Sequence, residues 1–324
     1  MIRRELQRVA IKTVCWVAIL GAFPLAWAQQ GFFTHDDVVK YTPDWRGDRF
    51  PDGRPKVPDA ILDRMKTVTL EEAWATLQNA GFMHQYEDGW LSIHPGKVLV
   101  GRALTAVWMP GRPDVEKVIE AEGVKDHRQG ATNAWPVDML QPRDVYVADH
   151  FGLKVHGPSV GDNVGTAIYA RSGNGIVYNG AVRDINGLDA LPNFTSFVRF
   201  YDPSYHYGSF ADGKLLNSTM VSINGPTRIG HVLVMPGDVV LGRNGGVLFI
   251  PPQLAEQVVK NSEATHLRDV FGHQRLKEKK YTAGQIDARW TQPIEEDYRR
   301  WLKQNEHHLS VPRERVEEIL KDHE

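Results

Sequence analysis

Cysteine is almost absent from this sequence of 324 residues, Cys15 being the only one. An intramolecular disulfide and any zinc site built on several thiolates are therefore excluded. An excess of one charge is lacking too, with 38 Lys and Arg against 40 Asp and Glu and a net charge of −2. That balance argues against nucleic acid as the main partner, because phosphate binding needs a surplus of Lys and Arg. The 13 His show no HExxH pair or other metal-ligand spacing. Beyond the N-terminus no run of 18 apolar residues occurs, so no later segment reads as a membrane span. There is neither an internal repeat nor a low-complexity tract. What is present, 42% hydrophobic residues with 29 Gly and 19 Pro, describes a globular chain rather than a disordered or collagen-like one. The length allows one large domain or two smaller ones.

The first 28 residues have a separate character. Arg3, Arg4, Arg8 and Lys12 make a basic start, Thr13 to Leu25 is largely apolar, and Ala26-Trp27-Ala28 puts small residues where a signal peptidase reads. This pattern predicts a secretory signal peptide cleaved near Ala28, and hence a periplasmic or secreted protein. A membrane anchor fits less well, because the apolar stretch falls short of the roughly 20 residues that span a bilayer and Pro24 interrupts it. Arg3-Arg4 with Leu6 and Arg8 faintly resembles a twin-arginine signal without the usual Ser or Thr before it, leaving the two export routes open. Cleavage removes four basic residues, Glu5 and Cys15, so a cysteine-free chain of net charge −5 with no membrane attachment is expected.

Four segments follow from the remaining pattern: the signal at 1–28, an extended Pro-rich arm at 29–58, a main domain at 59–260 and a charged helical extension at 261–324. Pro43, Pro51, Pro55 and Pro58 disfavour helix in the arm. Thr69-Leu70-Glu71-Glu72 is a capping box, Gly81 can close the helix it starts, and Leu70, Ala73, Trp74 and Leu77 share one face. Strands are expected at Lys97–Trp108, Asp144–Phe151 and Gly175–Ala181, with helices at Val115–Glu122, stopped by Gly123, and at Asn163–Arg171. Short strands from Phe194 to Ile250, separated by turns such as Asn244-Gly245-Gly246, complete the domain. Alternation first and strands later suggest an α/β domain in which a helical layer covers a sheet folded back on itself.

Chemistry concentrates in Gly161-Asp162-Asn163-Val164 and, after one helix and one strand, Gly180-Ala181-Val182-Arg183-Asp184. A helix starting after Gly161 points free N–H groups and its positive dipole end at an anion. Adjacent Arg183 and Asp184 have diverging side chains, so one can grip a carboxylate while the other binds a hard cation. The chain here resembles the class II pyruvate aldolases of the 4-hydroxy-4-methyl-2-oxoglutarate aldolase type and the related regulators of ribonuclease activity (RraA-like proteins). Their motif is an acidic residue, twenty residues, then Arg-Asp, and Asp162 stands so before Arg183-Asp184. Glu122 before Arg143-Asp144 has the same spacing, and Arg268-Asp269 is a third Arg-Asp, but only the Asp162 copy has the glycine before the acid and the Gly-Ala-Val lead. Similarity continues through Gly101-Arg102-Ala103-Leu104-Thr105 and Pro236-Gly237-Asp238-Val239, covering Ile61 to Lys260. The chain departs from the family at Asn179 and near Arg243-Asn244, where acidic residues are usual, and in an aromatic insertion, Tyr201 to Asn217, that includes Tyr205, His206, Tyr207 and Phe210.

The resemblance implies an α/β, three-layer β/β/α swivelling-type domain assembled as a homotrimer or hexamer. It implies Asp184 as direct ligand of Mg²⁺ or Mn²⁺, Asp162 as ligand through water, and Arg183 as the grip on a small-molecule 2-oxo acid, beside Gly161, Asn163 and Val164. The implied reaction is retro-aldol cleavage or decarboxylation through a metal-stabilised pyruvate enolate. The alternative is a non-catalytic binding or regulatory protein of the cell envelope on the same fold.

Overall fold

A computed structural model describes residues 33–206, 216–309 and 311–322. The expected signal peptide, Met1–Ala28, and Tyr207 and Phe210 of the insertion lie outside them. The described chain opens with α1 (His35–Tyr41), α2 (Asp59–Met65) and α3 (Leu70–Asn79), then β1 (Tyr86–Glu87), β2 (Leu91–Ile93) and β3 (Leu99–Pro110). Next, α4 (Pro113–Lys125) and α5 (Trp135–Asp138) lead to β4 (Asp144–Asp149), α6 (Asp162–Ser172) to β5 (Ile176–Val182), and α7 (Ile185–Asp189) to β6 (Ser196–Tyr201). After β7 (Ser218–Ile223), β8 (Thr227–Ile229), β9 (Val232–Val234), β10 (Val239–Arg243) and β11 (Gly246–Ile250), the chain ends in α8 (Ala255–Lys277), α9 (Ala283–Asp287), α10 (Gln292–Asn305) and α11 (Arg313–Asp322).

The main sheet has the order β1-β11-β10-β3-β4-β5-β6-β2, with β7 also on β3. Strands β3 to β6 run parallel and the flanks antiparallel. Parallel neighbours need crossover connections, which α4 to α7 supply. These helices bury one face of the parallel strands, where Leu104, Trp108, Tyr146, Ile176 and Tyr178 meet Ile119, Trp135, Ile168 and Leu188. On the other face Ala103, Val145, Val147 and Val177 pack on Val240, Val247 and Phe249 and on Ile229, Val232 and Val234 of the β8–β9 hairpin. The sheet thus folds over itself into two β layers with α4 to α7 outside the parallel strands, the expected mixed α/β architecture, and further helices cover the second β layer. Outside β10 and β11, Leu241, Leu248 and Ile250 pack against α2, α3 and α8 through Leu62, Met65, Leu77 and Val258. The C-terminal helices have their own core of Phe271, Trp290, Tyr298, Trp301, Val316 and Ile319.

Two local expectations change. The arm is not extended throughout, because Thr34 and Asp37 form a capping box that starts α1. Gly123 does not stop α4. It lies inside the helix, where a Cβ would run into the Trp135 indole, so it is a packing glycine. Strands β1, β2 and β8 are two or three residues long, too short to show an alternating pattern.

The arm is fastened by charge. Arg54 and Asp144 are fully buried and paired at 2.8 Å, and Asp52 accepts a hydrogen bond from Arg54 Nε at 2.8 Å. Burial alone would lower the Arg54 pKa, but Asp144 and Asp52 raise it and keep the guanidinium charged. Arg102 at the start of β3 donates to the Val57 carbonyl at 2.7 Å and to Asp59 at 2.8 Å. Arg54→Met would leave a buried carboxylate without its main counter-charge and is expected to cost about 3–5 kcal/mol, read as a lower urea midpoint. An unchanged midpoint would show that the arm adds nothing to the core.

In the extension, Asp297 accepts from Arg275 Nε at 2.8 Å and pairs with Lys280 at 2.9 Å. Burial alone would raise this carboxyl, but Arg275, Lys280 and Tyr281 bring it down to about 2. A carboxyl whose folded pKa lies below its unfolded value of about 3.9 stabilises at neutral pH and loses that contribution as pH falls through the folded value. The near-UV circular dichroism of Trp290 and Trp301 is therefore expected to weaken between about pH 4 and pH 2, and Asp297→Asn should flatten that dependence.

Candidate active site

Helix α6 begins at Gly161, an extended N-cap, and ends at the left-handed Gly173 (φ 70°), where glycine carries no Cβ penalty. The chain then returns as β5, parallel to β4. The end of β5 is zipped to the start of α6: Val160 bridges Val182, and the Arg183 amide donates to the Val160 carbonyl at 3.1 Å. Asp184 turns the chain into α7 with left-handed backbone, φ 55° and ψ 44°. Non-glycine residues rarely hold that conformation, which is held here by the Gly187 and Leu188 amides donating to its carbonyl at 2.9 and 3.1 Å.

Two glycines set the distances. A Cβ on Gly187 would stand 2.6 Å from the Asp162 Cβ. One on Gly161 would collide with Asp184 Oδ2 and lie 3.1 Å from Arg183 Nε. The first is a contact with the root of the Asp162 side chain, the second with the carboxylate end of Asp184, which a Cβ would displace. They bring Asp162, Arg183 and Asp184 to one cavity of about 550 Å³. Carboxyl ends of parallel strands are where open α/β sheets place their ligands.

Arg183 Nε is buried with no hydrogen-bond partner, since Asp184 Oδ2 at 3.6 Å is beyond bonding distance. Its guanidinium lies over the Tyr205 ring, 4.7 Å from the centroid. One face is thus covered and Nε is buried, so a planar carboxylate would be met by the terminal N–H groups. Asp162 Oδ1 accepts from the Asn163 amide at 2.8 Å. Asn163 and Val164 follow in the first turn of α6 but do not line the cavity. Tyr201, Asp202 and Pro203, which sequence reasoning left out of the site, line it instead. Their signal was the aromatic insertion that starts at Tyr201. Asp202 Oδ1 accepts from the Ser204 amide at 3.0 Å and from its hydroxyl, which hold Asp202 below the usual carboxylate range.

The competing Arg-Asp pairs have structural roles. Asp144 is held by Arg54, Glu122 pairs with Lys125 on the surface, and Arg268 lies on Trp290 and pairs with Glu295. Asn179 uses both ends of its amide, donating to Asp149 at 2.7 Å and accepting from Arg199 Nε at 3.1 Å. Burial already raises the Asp149 pKa, and a second carboxylate at 179 would face it. Asn244 sits with left-handed φ in the tight β10–β11 turn beside Gly245, a conformation Asn tolerates well.

Among the described residues no three His, Cys, Asp or Glu side chains converge as a ready metal cage. Asp162 and Asp184 nonetheless suit a hard divalent cation such as Mg²⁺, which takes one or two carboxylates and keeps several waters. The missing Cβ of Gly161 leaves the Asp184 carboxylate its room.

The family model RraA-like (Aldolase/RraA) matches residues 56–249. This chain belongs to the RraA-like family. The family includes metal-dependent aldolases and non-catalytic ribonuclease inhibitors, and its members are typically oligomeric. Among solved structures, Streptomyces coelicolor RraAS2, an unusual member of the RNase ES inhibitor RraA protein family, is 22% identical with a TM-score of 0.50, covering 70% of this chain and 97% of that one. An uncharacterized protein from Pseudomonas syringae pv. tomato is 21% identical with a TM-score of 0.54, covering 71% of this chain and 94% of that one. At such identity these likenesses show the RraA-like fold.

Gly187→Ala would push α7 away from the Asp162 side chain at the start of α6. An overpacking loss of about 1–3 kcal/mol is expected in thermal or urea unfolding, and unchanged stability would show that the glycine contact is not needed.

Proposed function

We propose that this RraA-like protein is a divalent-metal-dependent lyase that cleaves a 2-oxo acid by retro-aldol reaction, or decarboxylates one, through the enolate of pyruvate. The observation that carries this reading is the open edge of Arg183 beside Asp162 and Asp184 in one cavity. Asp184 would hold Mg²⁺ or Mn²⁺ directly and Asp162 through water, and the ion would supply Lewis-acid polarisation of the 2-oxo group. Arg183 binds the substrate carboxylate edge-on, and Tyr205 keeps the guanidinium from turning. The first N–H groups of α6 add positive potential on the same side. Asp162, with Oδ1 engaged by the Asn163 amide, has Oδ2 free to hold the water that carries the proton to and from C3. The reading also has the protein exported by its N-terminal segment and assembled as a homotrimer or hexamer.

Exchange of the pyruvate methyl protons with D₂O reports enolate formation without committing to the rest of the substrate. Followed by NMR on the chain lacking residues 1–28, exchange is expected with Mg²⁺ or Mn²⁺ and none with EDTA. Asp184→Ala and Arg183→Ala should each slow it by about 10²–10³-fold, the range for removing one electrostatic group from an active site. A well-folded oligomer without exchange would contradict the lyase and favour the family's non-catalytic role.

A further inference from the structure

The cavity at the end of β5 has an uneven charge inventory. Among the described residues lining it, Arg183 is the only cation, while Asp162, Asp184 and Asp202 are anions. Given the lyase reading, on which this inference rests, Asp162 and Asp184 serve the divalent cation and Arg183 holds the substrate's own carboxylate. The remainder of the substrate then meets Asp202 and an uncharged, mostly apolar wall of Val182, Ile185, Gly187, Tyr201 and Pro203 with one amide side chain, Asn186. A second carboxylate there would find no counter-charge in the wall and would face Asp202, a repulsive element of the kind that sets specificity. Lys154 and His156 lie close enough to act on the charge of Asp202, but neither lines the cavity.

Size and surface point the same way. About 550 Å³ lies in the range of roughly 300–1,000 Å³ that encloses drug-sized ligands, far more than pyruvate fills. Tyr201 and Tyr205 remain 38% and 67% exposed, so aromatic surface stands in water beside the carboxylate grip, and covering it favours a flat apolar ligand.

We propose that the substrate is a 2-oxo acid with a single carboxylate whose departing portion is flat and apolar, so that cleavage releases pyruvate and an uncharged aryl-type aldehyde. In that step the C3–C4 bond breaks and its electron pair stays on C3 as the enolate. The C4 hydroxyl loses its proton and becomes the aldehyde carbonyl, and C3 takes up a proton to give pyruvate. No oxidant or reductant is required.

Binding calorimetry with Mg²⁺ on the chain lacking residues 1–28 compares 2-oxo-4-phenylbutanoate with 2-oxoglutarate, in the wild type and in Asp202→Asn, which keeps an acceptor for Ser204. The phenyl acid is expected to bind at least about tenfold tighter, and Asp202→Asn to narrow that ratio about threefold by strengthening 2-oxoglutarate alone. Equal or tighter binding of 2-oxoglutarate, a ratio unaffected by Asp202→Asn, or binding of neither acid would overturn the inference. Pyruvate methyl exchange in the same preparation separates the two failures: intact exchange leaves the lyase standing, and lost exchange means that reading itself has failed.

Discussion

The site depends on how closely the N-terminus of α6 approaches the end of β5. With no Cβ at Gly161 and Gly187, the Asp162 and Asp184 carboxylates and the Arg183 guanidinium share one cavity; a Cβ at Gly187 would run into the Asp162 Cβ and one at Gly161 would displace the Asp184 carboxylate. The same approach is secured from the backbone side by the Val160–Val182 bridge and by the two amides that hold Asp184 in its left-handed conformation. Strain stored at one residue is tolerated because the crossover around it is over-determined. That trade fits a position whose side chain must point into a cavity rather than along a helix.

This crossover needs a rigid frame. The parallel strands that deliver Asp184 are buried on both faces, by helices on one side and by the returning antiparallel strands on the other. The base of the sheet is tied to the arm through Arg54, Asp144 and Arg102, at the end of β4 opposite to the cavity. A buried ion pair is weak evidence for stability in itself, but breaking one is costly, so the arm is locked in place wherever the sheet is formed. The C-terminal helices carry a separate aromatic core and join the domain through the long helix α8. Their surface pairs and their cavity between α8 and α9 lie apart from the Arg183 site.

Much of this was legible in the sequence because it rests on local chemistry. The Thr69–Glu72 capping box, the Gly81 that follows its helix and the glycine-led Arg183-Asp184 each signal themselves over a few residues. The sheet that folds over itself could be anticipated from alternating elements giving way to short strands. What stayed hidden depends on distant partners. Gly123 reads as a helix stop until Trp135 is seen against it, and the α1 helix is masked by the prolines that follow. Asp144 and Asp184 both follow Arg at matching spacing; the glycine before Asp162 and the Gly-Ala-Val lead single out the second, and burial beside Arg54 shows what the first does instead. Asp202 entered the cavity through the fold of the insertion, where the sequence showed aromatic richness but no motif.

The central claim is that Asp162, Arg183 and Asp184 work as one unit on a metal and a 2-oxo acid. A crystal structure of the chain with Mn²⁺ and oxalate, a planar stand-in for the pyruvate enolate, tests it most directly through the anomalous signal of manganese. The account predicts one manganese peak against Asp184, a water between it and Asp162, and an oxalate carboxylate on the edge of Arg183. Manganese bound elsewhere, or oxalate away from Arg183, would contradict it.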